Sequence, residues 1–169
     1  AYDMALIAKH AMTIPKFREI VRTVTYEIPA TEKSKQVRYL SNTNHLINKF
    51  KATRYQNYFY PYAIGIKTGY TSKANHTLVA SAVKNNLELI SVVLGCEYNG
   101  SKIYSYEDTI NLFEYGFNNF TFQTVVNAKD IIEELQVKDA KDNEHVILLA
   151  EQPLNALLPK NIEPEKLTK

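Results

Sequence analysis

The chain has 169 residues, of which 45% are apolar and 22% are charged, and its net charge at neutral pH is +2. This composition predicts a packed globular core and excludes a disordered tail. Acidic and basic residues are interspersed, so nucleic acid is not an expected partner. The sequence contains no apolar run of about 18 residues that would span a membrane, and its first residues lack the pattern of a signal sequence.

The cysteine and histidine content gives no indication of a metal site. Cys96 is the single cysteine, which excludes an internal disulfide and a multi-cysteine metal site. Because Cys96 follows an apolar run, we expect a small buried hydrophobic residue at a strand end. The histidines show no metal-ligand spacing; they are His10, His45, His76 and His145. We therefore expect neither a metal nor a cofactor.

The first fifty residues predict short helices and strands. Apolar residues recur at helical spacing in the first segment, and Pro15 is suited to open a second helix. Asn44 is a candidate N-cap for a third, short helix. The predicted elements are helices at 4–12 and 15–21, strands at 23–28 and 36–40, and the short helix within 42–50.

The middle of the chain predicts a three-stranded antiparallel meander. Three β-prone runs cover Ala63 to Thr71, Thr77 to Lys84 and Leu87 to Leu94. Asn85 and Asn86 lie between the last two runs, and asparagine tolerates the positive φ that a two-residue hairpin turn requires. A helix over 101–118 is then predicted to pack on the sheet, because its large apolar residues share one face: Tyr106, Ile110, Phe113 and Phe117.

The composition changes after Phe120, where we place a domain boundary between residues 1–120 and 121–169. Strands are predicted at Thr121 to Asn127 and at His145 to Ala150. The apolar segment from Pro153 to Leu158 fits a helical turn or a lipid-contacting segment, and buried packing is the favoured interpretation. A tail of this size makes a poor core on its own.

The segment Gly65 to Thr71, with the sequence Gly-Ile-Lys-Thr-Gly-Tyr-Thr, predicts an anion-binding strand edge. An extended strand directs Lys67 and Gly69 to one face and Thr68 and Tyr70 to the other. Lys67 supplies a positive charge and Thr68 a hydroxyl donor. Gly69 lacks a Cβ, so a ligand can lie close to the strand there.

Two other patterns have structural alternatives. Between Lys49 and Tyr62, basic residues alternate with aromatic ones, which is compatible with a stacking platform for bases or sugars. We favour a tyrosine-rich connection that packs on the sheet, because the charges are few and Pro61 interrupts a long groove. Ser81 and Lys84 form the only Ser-x-x-Lys match, but an odd offset on a strand directs them to opposite faces, so Ser81 is interpreted as a strand serine.

The order of Asn42-Thr43-Asn44, Lys67-Thr68-Gly69 and the following apolar hairpin resembles the C-terminal half of the D-alanyl-D-alanine carboxypeptidases, the low-molecular-mass penicillin-binding proteins. The resemblance covers residues 1–120. This family acts with three motifs, Ser-x-x-Lys, Ser-x-Asn and Lys-Thr-Gly. The third is here in its proper setting, whereas the chain contains no Ser-x-Asn. The helix at Asp3 to Met12 resembles the one that follows that motif in the family.

The resemblance implies an α/β (α+β) fold with an antiparallel sheet flanked by helices, as in penicillin-binding and β-lactamase-like transpeptidase domains, followed by the start of a small β-rich domain. It implies catalytic roles for Lys67, Thr68 and Gly69. Lys67, Thr68, Tyr70 and Thr71 would contact the substrate, with Thr68 on its terminal carboxylate. The backbone N–H of Tyr70 would form half of the oxyanion hole.

The implied ligands are a peptidoglycan stem peptide ending in D-Ala-D-Ala and β-lactams. The implied location is the extracytoplasmic cell envelope, with membrane association only through a segment not present here. Without its nucleophile the chain is expected to be inactive alone and to self-associate through the strand from Ala63 to Thr71. A fragment of a β-lactamase and a non-catalytic wall-binding or interaction module are the alternatives.

Overall fold

A computed structural model describes residues 1–50, 57–139, 144–164 and 167. The chain forms two compact units, Ala1–Phe117 and Asn118–Lys169. Lys51, Arg54 and Tyr55, which belong to the predicted basic and aromatic stretch, lie outside the described residues. None of the helices in the described part is long and apolar enough to cross a membrane.

Two helices, a hairpin, a three-stranded sheet and a long helix follow one another in the first part of the chain. Pro15 stands at the first position of the second helix, where its missing N–H costs nothing. The elements are α1 (Tyr2–Met12), α2 (Pro15–Arg22), β1 (Thr25–Ile28), β2 (Arg38–Ser41), β3 (Ala63–Thr71), β4 (Asn75–Lys84), β5 (Leu87–Cys96) and α3 (Tyr104–Asn119).

The central sheet has the order β3-β4-β5, and both pairs of neighbouring strands are antiparallel. Asn85 and Asn86 have φ values of 51° and 62°, which confirms the predicted hairpin turn between β4 and β5. Lys67 is opposite Val79 and Thr68 is opposite Leu78 in the register. The predicted meander is therefore confirmed.

Two apolar clusters cover the sheet. In the first, residues of β4 such as Leu78 and Ala80 pack with Phe113 and Phe117 of α3. In the second, Ala8 and Met12 of α1 pack with Ile66 of β3, and α2 adds two partly buried residues, Phe17 and Val21. The predicted α/β class, with helices flanking an antiparallel sheet, is confirmed.

The short helix predicted within 42–50 is wrong, because this segment forms turns. Its asparagine side chains bind nearby backbone groups and compete with helical hydrogen bonds. The Oδ1 of Asn44 accepts from the N–H of Leu46 at 3.0 Å. The Oδ1 of Asn48 accepts from the N–H of Phe50 at 3.2 Å. Asn44 thus caps a turn instead of a helix.

The second unit consists of two antiparallel strand pairs. β6 (Phe120–Val126) pairs with β9 (Leu154–Pro159), and β7 (Ile131–Gln136) pairs with β8 (His145–Leu149). The helical turn and the buried packing proposed for Pro153 to Leu158 are both wrong, since this segment forms β9 and is largely exposed or half-buried. A segment of six mostly apolar residues without a clear period does not distinguish a strand from a helix.

Candidate functional site

β3 is an edge strand. It pairs with β4 on one side, and the described residues include no strand that pairs with its other side. An open edge presents backbone N–H and C=O groups that an extended peptide can bind as an additional strand. The segment with the Lys-Thr-Gly sequence lies on this edge, so the predicted anion-binding residues are located where a peptide has access.

Lys67 is exposed on this edge. Its Nζ donates to the backbone carbonyl of Thr68 at 2.6 Å. None of the ion pairs found among the described residues involves Lys67. The ammonium is therefore held close to the strand, and its charge is not neutralised by a carboxylate within the described part of the chain.

The hydroxyl of Thr68 contacts a second threonine. Its Oγ1 lies 2.9 Å from the Oγ1 of Thr43, a residue of the turn segment that follows β2. Thr68 is half-buried and Thr43 is exposed. Thr43 was not among the predicted site residues, although it belongs to the Asn-Thr-Asn motif. The Asn-Thr-Asn motif could have pointed to Thr43, but the sequence does not show that the Thr43 and Thr68 hydroxyls are in contact.

Asparagine side chains fix the backbone of the turn segment around Thr43. The Nδ2 of Asn42 donates to the carbonyl of Thr23 at 2.9 Å, and its Oδ1 accepts from the N–H of Asn44 at 2.9 Å. The Nδ2 of Asn48 donates to the carbonyl of Asn42 at 2.9 Å. Asn44 is 1% exposed and Asn48 is 2% exposed. The Nδ2 of Asn44 has no hydrogen-bond partner among the described residues, so the bonds made by the Asn42 and Asn48 amides are the ones that restrict this loop.

Tyr106 of α3 supports the same segment from the other side. Its hydroxyl donates to the carbonyl of Thr43 at 3.3 Å and accepts from the N–H of His45 at 3.4 Å. The Tyr106 ring is buried and stacks on Tyr58 with centroids 5.0 Å apart. The turn segment is thus tied both to α2 and to α3, while the Thr43 hydroxyl faces Thr68.

Gly69 lies close to a side chain of the neighbouring strand, which the sequence did not reveal. A Cβ at this position would lie 2.5 Å from Oγ1 of Thr77, which is opposite Gly69 in the register. The missing side chain therefore makes room for the Thr77 hydroxyl of the neighbouring strand. Thr71 has a local role as well, because its Oγ1 accepts from the N–H of Ala74 at 3.0 Å in the turn to β4.

Aromatic rings surround the end of this strand edge. Tyr70 is exposed and lies opposite His76 in the register, with ring centroids 4.6 Å apart. His76 also contacts Tyr98 edge-on at 5.9 Å. The ring of His76 therefore packs against both Tyr70 and Tyr98.

Ser81 lies apart from this chemistry. It is 0% exposed, and its hydroxyl donates to Oε1 of Glu88 at 2.8 Å. Arg18 of α2 binds both oxygens of the same carboxylate at 2.8 and 2.9 Å. The Nζ of Lys84 lies 4.7 Å from the centroid of the Tyr62 ring. The interpretation of Ser81 as a strand serine is confirmed, since its hydroxyl and the Lys84 amine have different partners.

Cys96 and Tyr60, which lie outside the strand edge, have raised pKa values. Burial and a hydrogen bond to Asp108 raise the pKa of the Cys96 thiol to about 11. Cys96 is only half-buried, so the expectation of a buried residue was wrong; its Sγ donates to Oδ2 of Asp108 at 3.2 Å. Burial and the hydrogen bond to Glu114 raise the pKa of Tyr60 well above its usual value. Both groups are neutral near pH 7.

The fold is that of penicillin-binding proteins. The chain aligns over 94% of its length with penicillin-binding protein 5 from Haemophilus influenzae at 28% identity and a TM-score of 0.60, and it covers 41% of that protein. It also aligns with a peptidoglycan synthesis regulatory factor (PBP3) from Streptococcus pneumoniae at a TM-score of 0.67 over 96% of the chain. That match is 24% identical and covers 43% of the solved chain, so it supports the fold alone.

Sequence comparisons show the family. The family model for D-alanyl-D-alanine carboxypeptidase matches residues 1–98. The chain is 30% identical to the D-alanyl-D-alanine carboxypeptidase DacF of Bacillus subtilis (strain 168) over 161 aligned residues, and this alignment covers 95% of the chain. It is 35% identical over 140 residues to DacA of Haemophilus influenzae, covering 79% of the chain. The chain belongs to the D-alanyl-D-alanine carboxypeptidase family.

The chain spans only part of these relatives. It covers 37% of the length of the Bacillus subtilis protein and 30% of the length of the Haemophilus influenzae protein. The matched part includes the Lys67-Thr68-Gly69 edge and the turn segment with Thr43.

Proposed function

We propose that this chain supplies the substrate-carboxylate edge of a serine-type D-Ala-D-Ala carboxypeptidase. The observation that carries the proposal is the open β3 edge, where the Lys67 ammonium has no carboxylate partner among the described residues and lies next to the Thr68 hydroxyl. Residues 1–120 belong to the D,D-peptidase domain in this account, and residues 121–169 begin a β-rich domain.

The edge residues have distinct roles in substrate binding. A stem peptide ending in D-Ala-D-Ala lies along β3 as an added strand. Thr68 donates to the terminal carboxylate, Lys67 stabilises negative charge, and Gly69, Tyr70 and Thr71 line the peptide path. The N–H of Tyr70 provides half of an oxyanion hole, where a donor stabilises the developing alkoxide.

The reaction proceeds through an acyl-enzyme. A serine oxygen attacks the carbonyl between the two D-alanines, the C–N bond breaks, and D-alanine leaves with a proton on its amine. Water then hydrolyses the ester and frees the serine. β-Lactams enter by the same attack on their ring carbonyl. The site of action is the extracytoplasmic cell envelope.

The nucleophile must come from outside the residues described at this edge, because Ser81 is buried and bound to Glu88. We therefore predict that the chain alone is not labelled by a fluorescent penicillin. Denaturing gels after incubation with excess probe measure covalent labelling. A labelled band that disappears in Ser81→Ala would contradict this assignment.

Reversible peptide binding tests whether the β3 edge recognises a free C-terminal carboxylate. We expect an acetylated tripeptide ending in D-Ala-D-Ala to bind more tightly as the free acid than as the C-terminal amide. Lys67→Ala should weaken binding of the acid by roughly tenfold, the scale of one charge-assisted hydrogen bond. Lys73→Ala, which removes the same charge from the adjacent turn, is the matched control. NMR titration gives both affinities, and equal losses in the two variants would refute a specific role of Lys67.

The same edge is proposed to pair between copies of the chain when no peptide is bound. Unpaired strand edges associate readily, and β3 is open along one side within the described structure. Light scattering over a concentration series should show a mass above 19.4 kDa. A monodisperse monomer at all concentrations would favour the non-catalytic module instead.

A further inference from the structure

We infer that Thr43 is a positioning residue that sets the Thr68 hydroxyl as a donor to the substrate carboxylate. This inference rests on the proposed function of the β3 edge. The geometry that supports it is the 2.9 Å contact between the two Oγ1 atoms, which joins residues 25 positions apart. Two elements of the fold are therefore coupled at the hydroxyl that would bind the ligand.

The number of protons and lone pairs on a threonine hydroxyl determines which of the two threonines donates when the substrate carboxylate is bound. A threonine hydroxyl has one proton and two acceptor lone pairs. When Thr68 donates its proton to a carboxylate, it can only accept from Thr43. Thr43 must then be the donor of the pair, and its donation polarises the Thr68 O–H bond.

The surroundings of Thr43 suit such a role. The side chain is exposed, and an isolated exposed hydroxyl pair would lose much of its benefit to rotamer entropy. Here the backbone around Thr43 is held by the Asn48 amide, which donates to the carbonyl of Asn42, and by the Tyr106 hydroxyl, which donates to the carbonyl of Thr43. The cost of ordering Thr43 is thus met when the chain folds, before a ligand arrives.

This arrangement also accounts for discrimination between ligands. A carboxylate only accepts hydrogen bonds, whereas a terminal amide also carries N–H donors. A Thr68 hydroxyl that accepts from Thr43 directs its proton toward the ligand, and this proton bonds more strongly to a charged carboxylate oxygen than to a neutral amide oxygen. Thr43 therefore contributes to selectivity for a free C-terminus.

Binding of the acetylated D-Ala-D-Ala tripeptide, as acid and as amide, tests the inference with the 169-residue chain. Thr43→Val removes the hydroxyl at nearly constant shape, and Thr43→Ser retains it. We expect Thr43→Val to weaken binding of the acid by about three- to tenfold, the range for one hydrogen bond. The amide affinity should fall less, because the amide oxygen is a weaker acceptor than the carboxylate, and Thr43→Ser should behave as wild type. Equal melting temperatures confirm that the variants fold.

A double-mutant cycle with Thr68→Val separates positioning from direct contact. If Thr43 acts through Thr68, the double variant binds the acid no more weakly than Thr68→Val alone. Additive losses would overturn the positioning role. Wild-type discrimination that persists in Thr43→Val would overturn the inference while leaving the proposed function intact. Equal wild-type binding of acid and amide would overturn both.

Discussion

The two units of this chain use similar apolar strands but differ in what covers them. In the first unit, helices α1, α2 and α3 pack on the β3-β4-β5 sheet and bury two apolar clusters. In the second, none of the described residues is fully buried, and the strands form two separate pairs. Strand pairing alone therefore does not form a hydrophobic core, because a sheet without a covering layer leaves its apolar side chains exposed to water.

This difference bears on function. The Thr68 and Thr43 hydroxyls meet at 2.9 Å because each belongs to a segment held by the covered sheet and its helices. A binding site requires such a rigid frame to keep donors in place. The first unit can provide it, and the proposed ligand edge is located there.

Truncation of a large side chain should show the largest contrast between the units. Phe113 is 1% exposed in the cluster beneath α3, so Phe113→Ala should lower the free energy of unfolding by about 3–5 kcal/mol. Leu157→Ala is the control in the second unit, where Leu157 is 44% exposed, and it should cost less than about 1 kcal/mol.

Tyrosine signals are suited to this measurement, because all 12 tyrosines precede residue 118. Urea denaturation followed by near-ultraviolet circular dichroism therefore reports on the first unit, and the far-ultraviolet signal, to which the strands of both units contribute, is used for Leu157→Ala. Similar midpoints for wild type and Phe113→Ala would show that the apolar cluster contributes less than its burial indicates.

Removal of a polar acceptor should have a smaller effect. Glu88→Ala leaves the buried Ser81 hydroxyl without its acceptor and removes the partner of Arg18, which should destabilise the first unit by about 1–3 kcal/mol. Glu88→Gln retains an oxygen for Ser81 and should cost less. Glu133→Ala on the exposed strand β7 should leave the free energy of unfolding nearly unchanged. A destabilisation as large as that of Glu88→Ala would show that the two units do not differ in this respect.

Thiol reactivity should show the smallest effect. Because burial and Asp108 raise the pKa of Cys96 to about 11, its thiolate forms only as the pH rises toward that value. Alkylation by iodoacetamide at pH 8 should therefore be slow and should keep accelerating above pH 9. Asp108→Asn should increase the rate at pH 8 several-fold.

The matched comparison is a single cysteine in the second unit. The double substitution Cys96→Ala with Val146→Cys places the thiol on the exposed strand β8. It should react about tenfold faster at pH 8 than Cys96 does. Mass spectrometry over a pH series measures both rates, and equal profiles would show that the surroundings of Cys96 do not protect it.

The sequence was sufficient for features that depend on local periodicity. The meander, its Asn85-Asn86 turn and the face of α3 follow from alternation, turn chemistry and helical spacing. The strand with Lys67 and Thr68 was identified in the same way. Element ends were less accurate, since β4 begins at Asn75 and β5 continues to Cys96.

Features that depend on long-range contacts were not predictable. The Thr43 contact with Thr68 exists because the fold brings the turn segment to the sheet edge. The predicted helix after Asn42 was wrong because asparagine amides bind the backbone of their own segment. The β9 strand was missed because its partner, β6, is distant in the sequence.

The central claim is that the β3 edge binds a peptide through its free C-terminal carboxylate. Backbone NMR titration of the chain with the D-Ala-D-Ala tripeptide, as acid and as amide, tests it most directly. We predict that the acid shifts amide signals of residues 42–44 and 65–71 and that the amide shifts them much less. The claim is contradicted if the two forms behave alike. It is equally contradicted if the acid instead shifts the signals of Ile20, Tyr26 and Leu40, which line a separate cavity of about 480 Å³.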